Sequence, residues 1–97
     1  MARKPRIKTV KFDVAEFLDN EKVIAEYLTA ALEDDNPQVF LSAVADVARA
    51  KGMTRMAAET GLGRESLYKT LKPGASPKYA TVAKLVRALG VRLKAAA

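Results

Sequence analysis

Val23, Ile24, Tyr27, Leu28, Ala31 and Leu32 recur at helical spacing and fall on one face, which predicts an amphipathic helix over this stretch. Asp19 or Asn20 supplies its N-cap, and the acidic residues lie largely outside the apolar stripe. Upstream, Asp13 with Glu16 three residues later resembles a capping pair that opens a short helix, "VAEFL". "EDDNP" ends the amphipathic helix, and Pro37 is suited to the first turn of the next one. That helix, over about residues 37–50, offers Phe40, Leu41, Val44, Val47 and Ala48 as its buried face and stops at Gly52. Near the C-terminus, Val82, Leu85, Val86 and Leu89 stand at i, i+3, i+4 and i+7 in a helix from Lys78 to Leu89, with Gly90 as its cap. The ending "VRLKAAA" reads as a short strand or a frayed tail, and the opening "MARKPRIKTVK" has no helical period and reads as a flexible arm.

The chain has 97 residues, which is room for one domain around one core. Within it, residues 1–12 form the basic arm, 13–36 the acidic helices and 37–93 the remaining helical core. Only 6% of residues are aromatic, too few for a sheet-rich core, so the expected fold is all-α with about five helices. Cysteine and histidine are both absent. This removes disulfides, thiolate chemistry, the Ser-His-Asp and Cys-His arrangements and zinc sites built on nitrogen or sulfur. The carboxylates form no catalytic constellation, so the expectation is a protein that is not an enzyme and needs no cofactor or metal. No apolar run approaches the roughly 20 residues of a membrane span, and no signal-peptide core follows the basic start. A cytoplasmic location without membrane contact is expected.

The net charge of +6 is segregated. Residues 1–12 carry five basic groups and no acid, residues 13–36 carry eight acids against Lys22, and residues 61–97 carry eight basic groups against Glu65. Such a distribution suits an anionic partner at the basic end and a basic protein at the acidic end. The plainer reading is that both zones are solvated faces.

Candidate chemistry concentrates in "GMTRMAAETGLGRESLYKTL", residues 52–71. Thr54 is placed to cap a helix through Thr60, and Gly61 falls where a sharp turn needs positive φ. Ala57 is small enough for two helices to cross closely, while Leu62 and Leu67 fill the space between them. These features meet the requirements of a helix-turn-helix. In the second helix, from about Arg64 to Leu71, Leu67 and Leu71 face inward. Rotation by about 100° per residue puts Glu65, Tyr68, Lys69 and Lys72 on or near the opposite side, with Ser66 at one edge. A cation, an anion, a hydroxyl and a phenol on one face are suited to base edges and phosphates in a major groove. Arg64 stands at the groove-entering end. Lys72, Lys78 and the amides of "KPGAS" follow, in position to grip phosphate. The alternative is a structural corner, with Glu65 and Lys69 as an i, i+4 ion pair and Tyr68 as partial core.

These stretches also resemble a family. "FDVAEFLDNEKVIAEYL", "GMTRMAAETGLGRESLYKTL" and "TVAKLVRALGVRL" together look like the small addiction-module antidote proteins, HigA-like antitoxins with a lambda-repressor-like helix-turn-helix and an N-terminal helical extension. The likeness runs from about Phe12 to Leu93, and "GLGRESLYKTL" is its most specific part. It implies an antitoxin that silences a RelE-like or HigB-like toxin and represses their shared operon. By position it implies Arg64, Glu65, Ser66, Tyr68 and Lys69 as recognition-helix residues, and Thr54 and Arg55 as phosphate contacts. Family members often carry serine before the Arg-Glu-Ser run, where this chain has Gly63.

The sequence therefore leads to a DNA-binding antitoxin and autorepressor. Its expected partners are double-stranded operator DNA, a basic toxin drawn to acidic residues such as Glu16 and Glu26, and a second copy in a homodimer. Two alternatives remain: a stand-alone phage-type repressor, and an inhibitory protein-interaction module without DNA binding.

Overall fold

The computed structural model describes residues 20–95. Among these, five helices follow one another without strands: α1 (Glu21–Leu32), α2 (Pro37–Lys51), α3 (Met53–Thr60), α4 (Arg64–Leu71) and α5 (Tyr79–Ala88). The fold class is all-α. The basic residues 1–12, the stretch "VAEFL" with Glu16, for which the sequence predicts a helix, and the last two alanines lie outside the described residues.

Helix boundaries follow from local chemistry. The Asn20 side chain accepts from the Val23 amide and opens α1. Asn36 does the same for α2 by accepting from the Gln38 amide, with Pro37 in the first turn, where a missing N–H is harmless. Gly52, at φ 110°, is both the end of α2 and the start of α3. Thr54 is therefore not the N-cap of α3, as the sequence suggests; it lies one residue inside the helix, which already begins at Met53. A single residue in a conformation that side chains disfavour turns the chain so sharply that no separate capping residue is needed. Lys78 likewise caps α5 rather than opening it, and residues 91–95 adopt no regular structure.

Among the described residues, helix α2 is the central element and packs against each of the other four helices, whereas the helix partner of α1 is α2. The core joins Ile24 and Leu28 of α1, Phe40, Val44, Val47 and Ala48 of α2, Met56 of α3, Leu67 and Leu71 of α4, and Val82, Leu85, Val86 and Leu89 of and after α5. Leu32 belongs to the predicted stripe but is about half exposed, at 49%. It stands in the last turn of a helix whose helix partner among the described residues is α2, so its turn overhangs the core. Tyr27 extends the α1–α2 contact by donating its O–H to Asp46 at 3.1 Å. Burial first, and then the Asp46 carboxylate, push its phenol up to about 12.

Candidate nucleic-acid interface

The pair α3–α4 is joined by the three residues Gly61–Gly63. Gly61 takes φ 79°, the left-handed region, and its amide closes α3 on the Ala57 carbonyl at 3.0 Å. Thr60 ties the corner from both sides: its hydroxyl donates to the Met56 carbonyl at 2.7 Å and accepts from the Leu62 amide at 3.2 Å. Leu62 and Ala57 pack against the core, and Leu67 is wholly buried. The turn is fixed by backbone geometry and apolar contact together.

Helix α4 has the bounds that its sequence predicts. Its buried anchors, Leu67 and Leu71, turn Glu65 and Lys69 to the opposite side, with Ser66 at one edge and Arg64 and Tyr68 at the other; all five are exposed. Glu65 and Lys69 form no ion pair, so the surface-pair reading fails. Tyr68 is 48% exposed and is not core. The Arg64 guanidinium leans over its ring, 6.0 Å from the centroid, and makes a long 3.5 Å hydrogen bond to its hydroxyl. This geometry is a weak cation-π contact that narrows the range of Arg64 without neutralising it. Gly63 caps α4 without a side-chain bond and has an extended conformation open to any residue. A Cβ there would meet nothing within 4 Å.

At the start of α3, Thr54 and Arg55 are exposed. The Arg55 Nε donates to Glu59 one turn later at 3.0 Å, leaving its terminal nitrogens directed by that contact. Glu59 also meets Lys51 at 3.1 Å. The Arg55 and Lys51 hydrogen bonds hold its carboxyl below the usual range. Lys51 also donates to the Ala88 carbonyl at the end of α5, so one ammonium joins α2, α3 and α5.

The segment after α4 departs from its sequence reading. Its amides are not all free for phosphate. The Gly74 N–H donates to the Gln38 side-chain oxygen at 3.1 Å, and the Ala75 N–H to the Lys72 carbonyl at 3.2 Å. The Gln38 amide nitrogen in turn donates to the Ala75 carbonyl at 3.0 Å. Gln38, from the first turn of α2, thus clasps the loop between Lys72 and Lys78, whose side chains are exposed at its two ends. Sequence reasoning passed over Gln38 because its partners lie 36 and 37 residues away, beyond any local pattern.

The fold and this site define an all-helical protein that presents a short, polar helix on a buried apolar anchor, flanked by exposed cations. Residues 8–97 match the family described as probable addiction module antidote protein. The chain belongs to that family. It is also 43% identical over 83 residues, 86% of each chain, to an uncharacterised protein of Haemophilus influenzae strain Rd. No solved structure matches it significantly.

Proposed function

We propose that the chain is a DNA-binding antitoxin that represses its own operon through α3–α4, used as a helix-turn-helix. The observation that carries this reading is α4 itself. Leu67 and Leu71 anchor it in the core, so that Arg64, Glu65, Ser66, Tyr68 and Lys69 all stand exposed on its outer side. In the proposed complex α4 enters the major groove, where Arg64, Glu65, Ser66, Tyr68 and Lys69 meet base edges and neighbouring phosphates. Thr54 and Arg55 contact phosphate at the start of α3, where the unpaired amides of a first turn add favourable dipoles. Lys72 and Lys78 contact phosphate through their ammonium groups. The protein acts as a homodimer, because one eight-residue helix buries too little surface for useful specificity.

Membership of an antidote family supports a toxin as the second partner. We place a basic, RelE-like or HigB-like toxin on the acidic side of the molecule, where Glu26 is exposed on α1, with Glu16 contributing from outside the described residues. Opposed fields steer the two partners to different faces. The protein has no catalytic role in this scheme, uses no cofactor and works in the cytoplasm.

Co-expression with the product of the neighbouring reading frame tests the toxin half. Wild-type chain should retain that product on purification, and Glu16→Lys with Glu26→Lys should release it at moderate salt while operator binding persists. Full retention by a folded double variant would remove the acidic face from the account.

A further inference from the structure

Glu59, in the last turn of α3, gives its two carboxylate oxygens to two different cations. Its Oε1 meets the Lys51 ammonium at 3.1 Å, and its Oε2 accepts from the Arg55 Nε at 3.0 Å. Lys51 is itself held. Its side chain is 17% exposed, and its ammonium also donates to the carbonyl of Ala88, the last residue of α5, where unpaired carbonyls and the helix dipole favour a cation. The line from Ala88 through Lys51 and Glu59 to Arg55 therefore runs from the junction of α2, α3 and α5 out to a guanidinium on a side chain that is 65% exposed.

A lone exposed i, i+4 pair holds its partners weakly, because both long side chains lose rotamer freedom to meet. Here the carboxylate is already tied to Lys51, and Lys51 to the backbone of α5, so much of that ordering is complete before Arg55 joins. Glu59 engages the Arg55 Nε–H. The N–H groups on the terminal nitrogens make no hydrogen bond or ion pair among the described residues, and a guanidinium edge of this kind matches a phosphate bidentately.

We propose that Glu59, anchored by Lys51, is a positioning residue for DNA binding: it fixes the Arg55 guanidinium in the free protein, so that its terminal nitrogens are already placed for a phosphate. The inference rests on the reading of Arg55 as a phosphate contact. It also reverses the sign expected of an acid at this surface. A carboxylate beside phosphates repels them, so on charge alone its removal would tighten binding. As a positioning residue its removal weakens binding, because the arginine must then be ordered at the moment of contact.

Two measurements read the two halves of this proposal. In the DNA-free chain, the heteronuclear NOE of the Arg55 Nε–H should be close to that of the α3 backbone. It should fall in Glu59→Ala, and also in Lys51→Met, which keeps the carboxylate and removes its anchor. A wild-type Nε–H as mobile as that of Glu59→Ala would overturn the proposal. The second measurement is a double-mutant cycle with Arg55→Ala, followed by anisotropy on the promoter duplex and an unrelated duplex at fixed salt. Glu59→Ala should weaken both duplexes about fivefold, and in the Arg55→Ala background it should weaken neither. Unchanged or tighter binding by folded Glu59→Ala, or equal weakening in both backgrounds, would overturn the proposal. Wild-type affinity in Arg55→Ala would overturn it together with the phosphate reading of Arg55; an ordered Nε–H would then mark that reading, and not the tie, as the part that failed. Should Glu59→Ala melt well below wild type, Glu59→Gln replaces it with the same expectations, since the amide fills the same volume but offers one accepting oxygen where the carboxylate uses two.

Discussion

Gln38→Ala removes the clasp on the loop after α4 and tests whether that loop has a role on DNA. Two hydrogen bonds disappear, at 3.0 and 3.1 Å. A typical intramolecular bond contributes about 0.5–1.5 kcal/mol net, so the pair is worth at most about 1–3 kcal/mol. Gly74 is exposed, so water replaces its lost partner, and alanine carries none of the side-chain ordering cost that the bound Gln38 pays. The expected loss of global stability is therefore about 1 kcal/mol. The effect on DNA is larger in kind. Lys72 and Lys78 would sit at the ends of an untethered loop, and each phosphate contact contributes about 0.9 to the slope of log K against log salt. Losing both would flatten that slope by up to about 1.8. Fluorescence anisotropy with a promoter duplex and an unrelated duplex, at several salt concentrations, measures this directly. Both affinities should fall together, with the ratio between them preserved. A folded variant with an unchanged slope would refute the clasp as a positioning device, and so would loss of discrimination at constant slope.

The other predictions concern the scaffold. Leu67→Ala empties a wholly buried position and should cost about 2–5 kcal/mol in chemical denaturation. Gly61→Val meets no clash, since nothing lies within 4 Å of the added Cβ, but it forces a β-branched residue to φ 79°; a loss of about 1–3 kcal/mol from backbone strain alone is expected. Melting unchanged in both would misplace the turn. Tyr27 titrates near 12 when folded against 10.0 for the free group. Its raised value means that its contribution to stability is complete below pH 10 and is lost as pH rises towards 12. The denaturation midpoints of wild type and Tyr27→Phe should therefore converge across that window, and a gap that widens would contradict the Asp46 contact.

What could be read from the sequence was local. Asn36–Pro37, Gly52, Gly61 and Gly90 mark helix ends because capping, proline placement and positive φ depend on neighbours in the chain. Helix α4 was legible from its bounding glycine pair and its two inward leucines. Thr54 misled because its capping potential is real, yet Gly52 had already turned the chain. Leu32 misled because a helical stripe shows which side is apolar, not how far the partner helix extends. The "KPGAS" amides, the Gln38 clasp and the Lys51 junction depend on residues brought together only by folding.

The central claim is that the exposed face of α4 reads base sequence. The most direct measurement is anisotropy titration of wild type, Arg64→Ala and Lys69→Ala against the chain's own promoter duplex and a scrambled duplex, at fixed salt. Wild type should prefer the promoter, and each substitution should erode that preference by about 1–3 kcal/mol while leaving melting unchanged. Promoter preference retained in full by both folded variants would contradict the account.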